Sequence, residues 1–407
     1  MDSLSLEQLM IRSIEHCLVP KLSRDFEECE THGEFDIYKN RFSQHFYELI
    51  KLLDDADLKE NLKGSTRIIA YLWILYVDLQ TNILWTTEVI TEYTNKFNAS
   101  FELIYGVKLD DVLKAEQLDR QAIFDKAMEE LHQKLTPENF KKYPSLIDVY
   151  NSIIQDVKDF KIQVNLVKTL PIALLLIEDF VPTNRISGLK SCASILQHVE
   201  PNVFDTGNYY EVIHGTLLKA FTERDAEVTN LVIGSLLQLL LLLPDSVKEQ
   251  KTDETYALTL EQVLNESNVY RKLNLYRFTT KLIQMLRTKC AKRRRFHLAI
   301  VDGIILCCNK DIQDVLLNDV LECLKEWIKH TWCVWNLQTD YRILAEMMKL
   351  QCASKPENCR KVVKLIATLI TICTEDEQLS IVKCLEQPPR QFTDRVEEVR
   401  AHCSHPM

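Results

Sequence analysis

Glycine is scarce in this chain, with 8 in 407 residues, against a usual share of about 7%. Glycine supplies the positive φ angles that tight turns and phosphate-cradling loops need. Its scarcity argues against a sheet-rich or nucleotide-binding fold and for helices joined by short turns. The one Gly-Ser step that could suggest a phosphate loop, "NLKGST" at 61–66, lacks the glycine-rich lead and the lysine placement of such a loop. HExxH, GxSxG and CxxC motifs are missing as well, so no zinc-hydrolase, nucleophile-elbow or dithiol chemistry is indicated. No apolar run reaches the ~20 residues that span a bilayer. The most apolar stretch, "LVIGSLLQLLLLLP" at 231–244, is shorter and is interrupted by Gln238. It reads as a buried helix, and no membrane insertion is expected.

The first residues, "MDSLSLEQLMIRS", contain no signal-peptide core. Most of the 13 cysteines fall inside helical patterns. A reduced compartment, cytoplasmic or cytoplasmic and nuclear, is therefore expected, with cysteine acting as a small hydrophobe. The sequons at Asn98 and Asn265 then read as chance matches. The net charge of −10, from 49 basic and 59 acidic residues, disfavours non-specific nucleic-acid binding, which depends on basic patches that displace counterions. One basic cluster, Lys292-Arg293-Arg294-Arg295, reads as a nuclear import signal, a phosphate contact or a solvated helix end.

What is present is helical periodicity nearly throughout. Ile312, Val315, Leu316, Val320, Cys323, Leu324, Trp327 and Ile328 recur at three- and four-residue steps and share one face. Asp314, Asn318, Glu322 and Lys325 fall on the other. Ser5 with Gln8, Thr259 with Gln262 and Thr374 with Glu377 have capping-box spacing. Thr136-Pro137 suggests a helix start, and Pro20, Pro182, Pro201 and Pro244 suggest stops. "RIIAYLWILYVDLQTNILW" at 67–85 is β-branched and aromatic, but its length favours a buried helix.

Residues 170–199, "LPIALLLIEDFVPTNRISGLKSCASILQHV", spell a hairpin. Pro171 is expected to open a helix that Asp179 closes. Pro182 holds the turn and Asn184 caps the partner helix. Gly188 lies inside that partner helix, where glycine costs about 1 kcal/mol against alanine, so it marks a close helix–helix approach. Residues 209–243 repeat the plan. Helix pairs of roughly 40 residues, stacked side by side, are the signature of a HEAT-like solenoid. The expected fold is all-α, a HEAT-like α-solenoid of stacked antiparallel helix pairs. A less regular helical region is expected over 1–160, the repeat region over 161–387 and a weakly ordered tail over 388–407.

Candidate sites are few. His330 with Cys333, near Cys352 and Cys359, and His402-Cys403 with His405 fall short of four zinc ligands at supporting spacings. No metal, cofactor or catalytic constellation is expected, and the chain is not read as an enzyme. "WIKHTWCVW" at 327–335 is the densest aromatic stretch. Trp327 lies on the apolar face. Trp332 and Trp335 read equally well as core or as a binding hot spot.

The segment at 170–199, with "YYEVIHGTLLKAF", "LVIGSLLQLLLLLP" and "KHTW" at 329–332, resembles the Tel-Two-interacting protein Two family. Asp179, Phe180, Asn184, Gly188 and His198 match its pattern, and the likeness covers roughly 165–345. The resemblance implies a non-enzymatic helical-repeat subunit of the Triple T co-chaperone complex, bound to two larger solenoid subunits. It implies work with the ninety-kilodalton heat-shock chaperone and its adaptor complex in the maturation of phosphatidylinositol-3-kinase-related kinases. Asp179, Phe180, Asn184, His330, Trp332 and Trp335 are then the candidate partner-binding or repeat-turn residues. The alternative is a HEAT-repeat transport or nuclear-import adaptor, in which 292–295 would matter.

Overall fold

A computed structural model describes residues 6–27, 30–55, 62, 64–80, 88–157, 160, 162–386 and 393–403. Among these residues there is no β-strand. The chain forms two compact units, residues 1–216 and 217–407. The first holds α1 (Leu6–Cys17), α2 (Gly33–Asp54), α3 (Thr66–Gln80), α4 (Glu88–Tyr105), α5 (Arg120–Lys134), α6 (Pro144–Asp156), α7 (Leu166–Ile177) and α8 (Pro182–His198). The division falls inside α9 (Tyr209–Phe221). The second unit holds α10 (Ala226–Leu242), α11 (Asp245–Asn265), α12 (Val269–Leu286), α13 (Arg295–Cys307), α14 (Lys310–Thr331), α15 (Leu337–Ala353), α16 (Pro356–Thr371), α17 (Glu375–Leu385) and α18 (Thr393–Cys403).

The fold is an α-solenoid of helix pairs. In the second unit, α11, α13 and α15 pack side by side in one layer, and α10, α12, α14, α16 and α18 in the other. Each hairpin joins one helix of each layer. In the first unit α7 pairs with α8, and each packs on the helix two places earlier, α5 and α6. The roughly 40-residue period is written in the cross-links between pairs. Ser191 donates to Asn151 at 2.6 Å, and Ser194 to the Ile154 carbonyl at 2.7 Å, both 40 residues apart. Arg271 reaches Thr229 and Arg277 reaches Asp319 across 42 residues. Lys361 reaches Asn318 across 43.

Local details correct several expectations. Helix α7 starts at Leu166, capped by the Asn165 side chain accepting from Val167 N at 3.0 Å. Pro171 lies inside it on the exposed face, so the carbonyl it leaves without a donor can reach water. Pro182, not Asn184, begins α8. Thr259 lies within α11, its hydroxyl donating to the Thr255 carbonyl. Thr136-Pro137 leads only into a 3₁₀ turn at Phe140–Lys142. The capping box at Thr374 and Glu377 is present. Ser5, residues 81–85 of the aromatic stretch, Pro388-Pro389 and His405 lie outside the described residues. Past 387, α18 buries Val396 and Val399 and packs on α16.

Gly188 is where α7 and α8 touch. A Cβ there would sit 2.7 Å from Ile177 N, 2.8 Å from the Ala173 carbonyl oxygen and 2.8 Å from Leu176 Cβ. Backbone cannot swing aside as a side chain can. Overpacking costs about 1–3 kcal/mol, more than the ~1 kcal/mol of helix propensity that alanine gains. Gly188→Ala should therefore lower the urea midpoint, by a net cost of up to about 2 kcal/mol; an unchanged or raised midpoint would show that the helices separate freely.

Helix α3 is buried from Ile68 to Leu79, and Asp78 is inside that run. Its carboxylate accepts from Val19 N at 3.2 Å and from the Ser145 hydroxyl. Burial pushes Asp78 up to about 7 and Asp148 up to about 6. A carboxyl raised in the folded state makes that state bind more protons than the unfolded one. The stability it contributes is then full below the unfolded value near 4 and is lost as pH rises through about 7. The urea midpoint should fall from pH 5 to pH 8, and Asp78→Asn should flatten much of that fall. An identical slope in the variant would remove Asp78 as its source.

Candidate interaction surfaces

Asp179 closes α7, and its side chain is buried. Its carboxylate lies 2.9 Å from Lys141 Nζ and accepts from Asn184 Nδ2 at 2.7 Å. Arg185 Nε and a terminal guanidinium nitrogen donate to the Asp179 backbone carbonyl at 3.1 and 2.7 Å. Asn184 thus folds back on the turn instead of capping. Lys141 follows α5, so the ion pair ties the α7–α8 hairpin to the preceding one. Phe180, next in sequence, is 76% exposed, with Lys141 Nζ 3.8 Å from its ring centroid. The two neighbours divide the work by alternation at the turn: the carboxylate faces in and the ring faces out.

The aromatic stretch at 327–335 divides in the same way. Trp327 is buried, stacked on Phe296 with centroids 5.0 Å apart and edge-on to His297 at 5.1 Å. Trp335 meets Trp327 at 6.3 Å and donates Nε1–H to Cys373 Sγ at 3.4 Å. Trp332 is 61% exposed. His330 Nε2 lies 3.0 Å from Glu326, which Lys329 also pairs at 3.2 Å. Burial pushes the Glu326 carboxyl up, but these two partners outweigh it and hold it below the usual range. Among the described residues no cluster of three or more His, Cys, Asp or Glu is placed to hold a metal.

The basic run at 292–295 lies against an acidic stripe on α11. Arg293 pairs with Asp253 and Arg295 with Glu261, while the preceding Lys289 pairs with Glu249. Half of the run's charge is therefore paired within the chain, at its surface. Buried thiols are similarly occupied with packing. Burial pushes Cys17, Cys192, Cys290, Cys307 and Cys323 up to about 12, so they stay protonated.

Sequence reasoning missed a large groove. It lies between α14 and α16 and holds about 940 Å³. Leu321 and Ile328 of α14 and Leu365 of α16 form its floor. Lys325, Lys329, Lys361 and Lys364 stand along its rim, with Asp319 and Glu322. A smaller hollow of about 450 Å³ lies beside Phe180 and Lys141. The only sequence signal for the large groove is a second helical stripe, 318, 321, 325 and 328, which shares no position with the stripe around Trp327 except Ile328. Its partner stripe, 361, 364, 365 and 368, is some 40 residues away.

No family model matches the chain, and no curated protein matches it. Among solved structures, the chain is similar to an engineered protein at 12% identity, covering 99% of this chain and 97% of that one, with a TM-score of 0.38. It is similar to a chain of the Kap95:Nup1 complex at 9% identity, covering 98% of this chain and 54% of that one, TM-score 0.44. It is also similar to a mutant of Kap121p at 13% identity, covering 97% and 40%, TM-score 0.47. The chain thus spans about half the length of the Kap95 chain or less of Kap121p.

Removing the Asp179 carboxylate strands Lys141 and Asn184. Breaking a buried pair by deleting one partner costs about 3–5 kcal/mol, and the partial exposure of Lys141 places this case at the low end. Asp179→Ala should cost about 3 kcal/mol by urea unfolding, whereas Phe180→Ala, losing mainly an exposed cation–π contact, should cost under about 1 kcal/mol. Equal stability of Asp179→Ala and the parent chain would contradict the structural role of the ion pair.

Proposed function

We propose that this chain is a non-enzymatic scaffold, a helical-repeat subunit of the Triple T co-chaperone complex. In that complex it binds two larger helical-repeat subunits and supports maturation of phosphatidylinositol-3-kinase-related kinases with the ninety-kilodalton heat-shock chaperone and its adaptor. The mechanism is mass action. Holding partner and client in one assembly favours folded states that would otherwise be lost. It would act in the cytoplasm and the nucleus.

One observation supports the scaffold reading above the rest. Charged and polar side chains of the kinds that do chemistry are occupied in joining helix pairs, as in Asp179 with Lys141 and Arg271 with Thr229, while Phe180, Trp332 and the α14–α16 groove remain on the surface. The choice of complex rests on the resemblance over 165–345. Within it, Gly188 permits the close approach of α7 and α8, and Asp179 and Asn184 hold the turn between them.

The test is a pull-down of the full chain, tagged, from cell extract in mild salt, with mass spectrometry of what co-elutes. Two large helical-repeat proteins at near-equal amounts are expected. Recovery of import receptors or transport cargo in their place would sink the co-chaperone reading and favour the adaptor.

A further inference from the structure

The α14–α16 groove has the dimensions and chemistry of a helix cradle. On α14, Asn318, Leu321, Lys325 and Ile328 repeat at three- and four-residue steps, so they line one side. On α16, Lys361, Lys364, Leu365 and Thr368 line the other in the same spacing. From 318 to 329 the trough runs about 16 Å at 1.5 Å per residue, or three helical turns.

One end is closed. Lys355 N and Asn358 Nδ2 both donate to Gln313 Oε1, at 3.0 and 3.2 Å, and Lys361 Nζ donates to Asn318 at 2.8 Å. These bonds tie the two helices together at their N-terminal ends. Beyond them the apolar floor lies between α14 and α16, and the groove continues to Lys329 and Thr368.

The charge of the rim selects the occupant. Four lysines face two carboxylates across the rim, and behind it Glu326 pairs Lys329 at 3.2 Å. Of the two, Asp319 is held from outside by Arg277 of α12 at 2.8 Å, and Glu322 is paired with Lys325 at 3.1 Å. Lys361 and Lys364 are both exposed. The surplus is positive in a chain whose net charge is −10, so the local field is opposite in sign to that of the whole. An apolar trough with such a rim complements a helix with an apolar stripe at i, i+3/i+4, i+7 and acidic flanks.

We infer that this groove docks an acidic amphipathic helix of a partner protein. The inference rests on the scaffold reading and names the chemistry of one of its contacts. Apolar residues of the incoming helix lie on Leu321, Ile328 and Leu365. Its carboxylates meet Lys325 and Lys364 from either side, with Lys329 at the open end. Salt should weaken the contact, because exposed charge pairs are screened.

The test places a photo-crosslinking amino acid at Thr368 of the full chain in cells, with Phe180 and Trp332 as positions outside the groove. The partner peptide joined to position 368 is sequenced. The expected product is a segment with apolar residues at helical spacing and an excess of Asp and Glu. Lys325→Glu with Lys364→Glu should reduce that product at least tenfold while leaving the thermal unfolding curve in place. A neutral or basic segment overturns the inference. So does an undiminished product in the charge-reversed chain, or no product from 368 while 180 or 332 crosslinks. The identity of the crosslinked protein is a separate readout. An acidic helix from a protein outside the Triple T complex would keep the groove assignment and reject the co-chaperone reading. A basic segment from a Triple T subunit would do the reverse.

Discussion

A helix hairpin has too little surface to enclose its own apolar face, and every other feature of this chain follows from that limit. Each pair must lay its face on the next, so pairs have to meet in one register. Apolar packing alone tolerates sliding. Directional bonds do not, and here they recur at separations close to 40 residues, from Gln121 with Gln163 at 42 to Asp253 with Arg293 at 40. Arg271 shows the principle at its strongest. Its guanidinium is fully buried and donates to Thr229 at 2.8 Å, to the Phe221 carbonyl and Gln262 at 3.1 Å each, and to Glu266. Burial would raise the Glu266 carboxyl, but Arg271 and the amides of Asn268 and Ser267 hold it below the usual range. A charge so completely satisfied costs little to bury and fixes where Phe221, α10, α11 and α12 meet.

This use of polar groups shapes what the protein can do. Carboxylates, guanidiniums and hydroxyls serve as keys between pairs, and thiols fill apolar space as protonated groups. What remains for recognition is the solvent side: exposed rings at turns, and troughs between neighbouring helices of a layer. The α14–α16 groove is such a trough, and its lysine rim distinguishes it from the acidic average of the chain.

Much of the fold was legible in the residues. From Leu316 to Ile328 the expected stripe is buried in α14, while Ile312 and Val315 at its start are only half-buried, and the capping box at Thr374 formed as its spacing required. Gly188 marks a close approach, whereas Gly215 and Gly234, also inside helices, have open space beside them. The misreadings share one cause. Pro171, Asn184 and Thr259 were assigned from local propensity, yet each role depended on what lay beyond the helix: an exposed face for Pro171, the Asp179 carboxylate for Asn184, a continuing helix for Thr259. The aromatic stretch was undecidable for the same reason. Trp332 and Trp335 are three residues apart, and the positions of Trp327 and Cys373 turned one inward while the other stayed in solvent.

Residue order by itself determined that the chain would be helical, that helices over 170–243 would come in pairs of about 40 residues and which face of a stretch such as 312–328 would be mostly apolar, because all three depend on spacing along one chain. It did not determine which carboxylate would be buried, which tryptophan would be exposed or where a groove would open. Those outcomes depend on contacts between residues some 40 positions apart or more, as with Lys141 and Asp179 or Asn318 and Lys361. A pairing of that kind has no local periodicity to announce it. It is settled only when two hairpins stack and each polar group must find a partner or face water.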